Sequence, residues 1–152
     1  LKRVNDDLAD RNESCTFVTL VIGVLDTLTG EVVFANGGHN PPRILAADGT
    51  VSTVPLKTNM VVGVMDGVAF ARETVRLHPG DTLFLYTDGV TEAMDLQDKL
   101  YGEPRMDQQL STMPAGASVQ DIIRRVAEDG AAFSGTREQA DDITMLTLRY
   151  RP

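Results

Sequence analysis

The chain has 152 residues, of which 42% are hydrophobic, and this is enough for one globular domain with a sizeable core. Its formal net charge of −8 argues against non-specific binding to nucleic acid or to an anionic membrane surface, because no basic cluster offsets the acidic excess. With one cysteine, no signal-peptide pattern and no apolar run near about 20 residues, the sequence predicts a soluble cytoplasmic protein.

The start of the chain predicts a helix, because Leu1, Val4 and Leu8 have helical spacing. The polar residues 11–14 are expected to end it. The first residue is not methionine and already belongs to this helical pattern. We therefore expect the chain to be a piece of a longer protein.

A hairpin is predicted next. The apolar, β-branched run over residues 16–25 is too continuous for a half-exposed strand, so it predicts a central strand that is buried on both faces. Residues 26–30 form a turn, and residues 31–35 return as the antiparallel partner. The following residues 36–42 contain two glycines and two prolines, which predicts a specific irregular loop.

The middle of the chain predicts further short strands. Their segments are residues 43–47, 51–54, 60–64 and 70–77. The first two form a hairpin around Asp48-Gly49. A tight turn at residues 78–81 then leads into a strand at residues 82–87.

The last third of the chain changes from strands to helices. Residues 105–113 and 119–133 have helical patterns, and Ser118 is a suitable N-cap for the second. Residues 113–116 form a linker between them, and a final strand is predicted at residues 143–150. Strands, then two helices, then a strand is typical of an α+β fold with a mainly antiparallel sheet covered by helices.

A carboxylate stands where the strand of residues 82–87 ends. Leu83 to Tyr86 are suited to a buried strand and run into Thr87, Asp88 and Gly89, so Asp88 is in a good position for a reactive acid. Gly89 permits either a turn that is closed to other residues or the close approach of a ligand. An ordinary turn after a strand explains Asp-Gly as well.

Two more carboxylates, Asp141 and Asp142, open the last predicted strand and could share one sheet edge with Asp88. Carboxylates gathered at such an edge suit Mg²⁺ or Mn²⁺, whereas two histidines and one cysteine provide no closed zinc site. On adjacent extended residues the two side chains point to opposite sides, so we expect one ligand and one hydrogen-bonding group. Alternatively, Asp141 and Asp142 both belong to a solvated loop end and bind no metal.

Five short motifs follow one another along nearly the whole chain. They are Phe17-Val18-Thr19, Ala35-Asn36-Gly37-Gly38-His39-Asn40-Pro41-Pro42, Pro79-Gly80-Asp81-Thr82-Leu83, Tyr86-Thr87-Asp88-Gly89-Val90-Thr91-Glu92-Ala93 and Asp141-Asp142-Ile143-Thr144. In this order they resemble the metal-dependent protein phosphatases (PPM), in particular their bacterial SpoIIE/RsbU-like branch. The resemblance implies an α-β-β-α sandwich of mainly antiparallel sheets flanked by helices. It also implies two Mn²⁺ or Mg²⁺ ions that activate a water for attack on phosphoserine or phosphothreonine.

The resemblance also implies roles for individual residues. Asp88 and Asp141 match two metal aspartates of the family and would be both catalytic and metal-binding. The supporting residues would be Gly89, Asp142, His39, Asn40 and Thr87. His39 could donate a proton, contact substrate or only fix its loop. Thr87 and Glu92 either support the ligands or are ordinary turn and helix-start residues.

The resemblance implies that part of the domain is missing. The family's early segment, with an Asp and an Asp-Gly motif that bridge both metals, would precede Leu1. We therefore expect residues 1–152 to form a single partial phosphatase domain whose own activity is in question. The predicted substrate is a phosphorylated regulatory protein such as an anti-sigma-factor antagonist, and we also expect a homodimer. The alternative is an inactive phosphatase-like module that binds a partner protein in a signalling protein.

Overall fold

The structure is a computed structural model that describes residues 1–10, 12–57, 59–114 and 116–152. The elements of these residues are, in chain order, α1 (Lys2–Ala9), β1 (Leu20–Leu25), β2 (Glu31–Gly37), β3 (Arg43–Leu45), β4 (Val51–Thr53), β5 (Arg72–Arg76), β6 (Thr82–Tyr86), α2 (Asp88–Thr91), α3 (Gly102–Ser111), α4 (Val119–Ser134) and β7 (Met145–Arg149). They divide into two compact units. The predicted α+β class with antiparallel sheets and helices is confirmed.

The first unit comprises Leu1–Pro41, Val54–Leu77 and Pro152 and contains α1 and a three-stranded sheet in the order β1-β2-β5. Both strand pairs are antiparallel, so the predicted hairpin of β1 and β2 is confirmed. Val32 and Phe34 alternate along β2 and are buried, as expected for the central strand of a sheet.

The prediction of a central strand at residues 16–25 is wrong. The regular strand covers Leu20–Leu25 and lies at the edge of its sheet, where Val24 is 66% exposed. A continuous apolar run indicates β propensity but carries no information on strand order, and here β2 pairs on both sides. The predicted strand at residues 60–64 is also wrong. Val62 makes only an isolated bridge with Val18, because Gly63 has a φ of 96° and cannot continue an extended strand.

The first helix is confirmed, but its buried contact is polar. Val4 and Leu8 are 44% and 46% exposed, whereas Asn5 is fully buried. The Asn5 side chain accepts a hydrogen bond from the Gly63 N–H at 3.0 Å and donates one to the Met65 carbonyl at 2.8 Å. Arg11, one of the residues predicted to end this helix, lies outside the described residues, as does Ala115 of the predicted linker.

The second unit comprises Pro42–Thr53 and His78–Arg151 and contains α2, α3, α4 and an antiparallel sheet in the order β4-β3-β6-β7. β6 is an inner strand that pairs with β3 and β7. A hydrophobic core joins this sheet to the helices. Its buried members are Leu45, Phe84, Tyr86, Val90, Tyr101, Met106, Leu110, Ile122 and Val126.

A buried charge fastens α3 to the sheet. Arg43 on β3 is 1% exposed, and its guanidinium lies 2.8 Å from the Glu103 carboxylate and 2.9 Å from that of Asp107. The Tyr86 hydroxyl donates to Glu103 at 3.0 Å, and burial raises the pKa of Tyr86. These contacts hold the last residue of β6 immediately before Thr87 and Asp88.

The predicted N-cap of α4 is confirmed as a full capping box between Ser118 and Asp121. The Asp121 N–H donates to the Ser118 Oγ at 3.1 Å, and the Ser118 N–H donates to the Asp121 carboxylate at 3.2 Å. These bonds satisfy donors that are otherwise unpaired at the start of a helix.

We expect Ser118→Ala to lower the free energy of unfolding by about 1 kcal/mol, because the N–H of Asp121 loses its acceptor. Urea denaturation measures this change. Ser111→Ala is the matched control, since the Ser111 hydroxyl bonds to the Gln108 carbonyl within α3 and caps no helix start. A stability of Ser118→Ala equal to that of the wild type would contradict the assigned role of the capping box.

Candidate functional site

The ends of β6 and β7 bring the predicted site segments together. The two strands are antiparallel, and Tyr86, the last residue of β6, pairs with Met145, the first residue of β7. The segment that leaves β6 therefore lies beside the segment that enters β7. The first carries Asp88, and the second carries Asp141 and Asp142. We call this place the β6–β7 edge.

Thr87 ties the two segments with three hydrogen bonds. Its N–H donates to the Thr144 carbonyl at 3.0 Å, which continues the ladder of the two strands. Its hydroxyl donates to the Asp142 carbonyl at 2.8 Å and accepts from the Thr144 N–H at 2.9 Å. The side chain of Thr87 thus continues the strand pairing beyond the point where the regular strands end.

A glycine is needed at position 89 because the backbone of Asp142 comes very close to it. A Cβ built on Gly89 would lie 2.5 Å from the Asp142 carbonyl oxygen and 2.9 Å from its carbon. Gly89 has helical backbone within α2 and no positive φ. The prediction that Gly89 forms a turn closed to other residues is therefore wrong. The approaching group is the chain's own backbone at Asp142.

The carboxylates of the β6–β7 edge are exposed. Asp88 is the first residue of α2, and its Oδ1 accepts the Gly89 N–H at 3.1 Å. The Asp141 Oδ1 accepts the Asp142 N–H at 2.7 Å, and the Gln139 amide donates to the Asp141 carbonyl at 2.6 Å. Both segments thus present hard oxygen donors at one end of the sheet.

This donor set fits part of a site for Mg²⁺ or Mn²⁺. Carboxylate oxygens are the preferred protein ligands of these ions. Among the described residues there is no group of three or more His, Cys, Asp or Glu side chains that could hold a metal ion. The chemistry of Asp88 and Asp141 therefore suits such an ion, but the described residues do not form a complete ligand set.

His39 and Asn40 belong to the other unit, in the loop after β2. This loop is fixed by Asn36, which the sequence analysis did not single out. The buried Asn36 side chain accepts from the His39 N–H and donates to the His39 carbonyl, each at 2.9 Å. The His39 Nδ1 lies 3.1 Å from the Thr19 hydroxyl. An asparagine before two glycines is a signal that could have found it.

Glu92, the other residue considered as a support for the ligands, follows α2. Its N–H donates to the Asp88 carbonyl at 2.8 Å, and its side chain is exposed. The hydrogen bond of the Glu92 N–H is therefore the one expected at the end of a helix.

Comparisons with known proteins agree on one family. Residues 1–151 match the family described as Stage II sporulation protein E (SpoIIE). Protein IcfG of Synechocystis sp. is 31% identical over 153 residues, which cover 99% of this chain and 23% of IcfG.

Solved structures show the same fold. The PP2C phosphatase domain of SpoIIE from Bacillus subtilis, solved with a fragment of its regulatory domain, has a TM-score of 0.80 and 20% identity, over 97% of this chain and 43% of that one. The RsbU and RsbW domains of Rv1364c from Mycobacterium tuberculosis give 0.70 and 23%, over 96% of this chain and 40% of that one.

These similarities define the fold as that of PP2C-type phosphatase domains. The chain belongs to the SpoIIE family, as its five motifs predicted. PP2C and SpoIIE phosphatases are in general metal-dependent. The chain spans less than half of the length of each of the three relatives named above. In the described residues, no helix has the length and apolar character needed to cross a membrane.

Proposed function

We propose that this chain is the catalytic part of a metal-dependent serine/threonine phosphatase that hydrolyses phosphoserine or phosphothreonine on a regulatory protein. One observation carries the proposal: the β6–β7 edge holds the Asp88 and Asp141 segments against each other through Thr87 and Gly89. Membership of the SpoIIE family supports phosphatase chemistry in general.

In this proposal Asp88 and Asp141 are the catalytic residues that hold Mn²⁺ or Mg²⁺. When bound, the metal ions lower the pKa of water and neutralise charge on the phosphoryl oxygens. The residues of the chain hold the two carboxylates in place. Thr87 bonds to Asp142 and Thr144, and Gly89 leaves room for the Asp142 backbone. The Asp142 carbonyl accepts the hydrogen bond that the Thr87 hydroxyl donates. His39 and Asn40 lie on a loop of the first unit that Asn36 fixes, and their supporting role stays a prediction.

The proposed substrate is a phosphorylated signalling protein, such as an anti-sigma-factor antagonist, in the cytoplasm. The RsbU and RsbW domains of the Mycobacterium tuberculosis relative support a regulatory protein partner.

The proposed homodimer rests on the edge strand β1, where Ile22 and Val24 are 38% and 66% exposed. An exposed apolar edge favours pairing with another strand.

Metal dependence tests the proposed function. We expect the full-length protein that contains this chain to hydrolyse p-nitrophenyl phosphate and a phosphoserine protein with Mn²⁺ and to lose both activities in EDTA. Mn²⁺ should also raise Tm, because a ligand at about 100 times its Kd stabilises the native state by about 2.7 kcal/mol. The Tm shift should be smaller for this chain alone, since a partial ligand set binds more weakly.

Two outcomes would count against the phosphatase. Hydrolysis that continues at the same rate in EDTA would remove the metal from the mechanism. If the full-length protein binds a phosphoprotein but hydrolyses neither substrate at saturating Mn²⁺, the protein-binding module replaces the enzyme.

The Tm measurement tests the partial ligand set separately. Equal and saturable Tm shifts of the full-length protein and of this chain at micromolar Mn²⁺ would show that this chain holds its full ligand set.

A further inference from the structure

A cavity of about 590 Å³ opens beside the β6–β7 edge, within the second unit. It shares two residues with the candidate metal site, Gly89 and Asp141. Its walls come from α2, from the end of α4 and from the loop that leads to Asp141. Its volume lies within the range of about 300–1,000 Å³ that is usual for ligand sites. The cavity therefore borders the Asp141 side of the β6–β7 edge, and Asp88 is not among its lining residues.

Small residues on α4 create this volume. Ala127, Gly130 and Ala131 stand at positions i, i+3 and i+4, so they lie on one face of the helix and line the cavity together. A Cβ built on Gly130 would meet no atom within 4 Å. Packing of the described residues therefore does not require glycine here. Glycine inside a helix is also less stable than alanine, so Gly130 leaves space at the expense of helix stability.

The charges around the cavity restrict what it can take. Glu92, Glu138 and Asp141 contribute three carboxylates to its lining. The lining cation, Arg137, already donates to the Asp98 carboxylate at 2.6 Å and to the Asp95 carbonyl at 3.0 Å. An acidic occupant would be repelled by this rim. The lining also contains larger apolar side chains, among them Val90, Val126 and Ile143. A neutral apolar side chain on a neutral or basic segment therefore fits both these apolar residues and the acidic rim.

We propose that this cavity receives the apolar side chain next to the phosphorylated residue of a protein substrate. The proposal rests on the proposed function, because the phosphoryl group must reach Asp88 and Asp141 while its neighbour enters the cavity that Asp141 lines. The cavity thereby selects substrates by the residue beside the phosphoserine.

The test compares two phosphoserine peptides with the full-length protein and Mn²⁺. The peptides are identical except for leucine or alanine on both sides of the phosphoserine, and p-nitrophenyl phosphate reports phosphatase activity. We expect kcat/KM of the leucine peptide to exceed that of the alanine peptide about tenfold, since apolar pockets discriminate by about 10–200-fold.

Gly130→Leu should bring this ratio of kcat/KM to about one, because its side chain fills the cavity. Its Tm should not fall, since leucine is a better helix former than glycine. Ala131→Leu is a second filling variant, so the test survives if one variant folds poorly. Ala132→Leu is the matched control, because Ala132 is exposed on the same helix and does not line the cavity. It should keep the tenfold ratio.

The outcomes separate the two proposals. The proposed function fails unless the wild type hydrolyses p-nitrophenyl phosphate or the phosphoserine peptides. If it does, but shows equal kcat/KM for both peptides, the cavity is not a substrate site and the inference is overturned. A tenfold ratio that persists in folded Gly130→Leu and Ala131→Leu also overturns it, because the preference then arises elsewhere.

Discussion

Asp88→Asn is expected to reduce phosphatase activity by at least about a thousandfold while the chain stays folded. Asparagine keeps the shape of the side chain and one acceptor oxygen, but it removes the negative charge that a divalent ion needs. Metal ions supply several kcal/mol of transition-state stabilisation, and each loss of about 1.4 kcal/mol lowers the rate tenfold.

The fold should tolerate this change, because Asp88 is exposed and its side chain makes one described hydrogen bond, to the Gly89 N–H. The remaining oxygen of asparagine can accept that bond. We expect the metal-free Tm to stay constant or to rise slightly, since one carboxylate of an acidic edge is removed.

The measurement is Mn²⁺-dependent hydrolysis of a phosphoserine protein by the full-length protein, beside metal-free melts of both variants. Asp66→Asn is a suitable control, because Asp66 is also exposed but belongs to the other unit. It should retain full activity. Near wild-type turnover of Asp88→Asn would remove Asp88 from the proposed metal site. Lost activity with a collapsed melt would assign Asp88 a structural role instead.

The sequence predicts elements well where local signals agree. The last two helices and the capping box at Ser118 follow from periodicity and cap chemistry. The strand before Asp88 is recognisable because β6 is an inner strand and lacks polar alternation. These features depend on residues that are neighbours in the chain, so a single sequence contains the information.

Strand order and site contacts depend on residues far apart in the chain. The apolar run of β1 predicted a central strand, but pairing with β5 makes β2 central. Gly89 was recognised as a special position, yet its reason, the backbone of Asp142, lies more than 50 residues away. The cavity beside α4 also depends on contacts between residues that are far apart in the chain. Its small residues share a helical face, but their open space arises only from how the surrounding segments pack.

The candidate site is therefore built from backbone contacts as much as from carboxylates. Thr87 and Gly89 flank Asp88 in the chain, and both contact the segment of Asp142. A change at either neighbour moves Asp88 relative to Asp141 without touching a carboxylate. Misplacement of reacting groups by about 1 Å costs about a hundredfold in rate, so such a change should be visible in activity.

Gly89→Ala is the sharpest test of this arrangement. Its Cβ would lie 2.5 Å from the Asp142 carbonyl oxygen, and backbone atoms cannot rotate away as a flexible side chain can. Either α2 or the segment of Asp141 and Asp142 must move. We expect the free energy of unfolding to fall by about 1–3 kcal/mol, which is usual for an added group in a packed site. Phosphatase activity should fall about a hundredfold.

Urea denaturation and Mn²⁺-dependent hydrolysis in the full-length protein measure the two effects of Gly89→Ala. Gly130→Ala is the matched control for stability, because it adds the same methyl group to a helix where the Cβ meets nothing within 4 Å. It should stabilise the protein by up to about 1 kcal/mol, since alanine is the better helix former. If Gly89→Ala were as stable and as active as the wild type, the close contact with Asp142 would not hold the two segments in register. The β6–β7 edge would then have to be positioned by Thr87 alone, and Thr87→Val, which keeps the side-chain shape but removes the hydroxyl, would become the decisive variant.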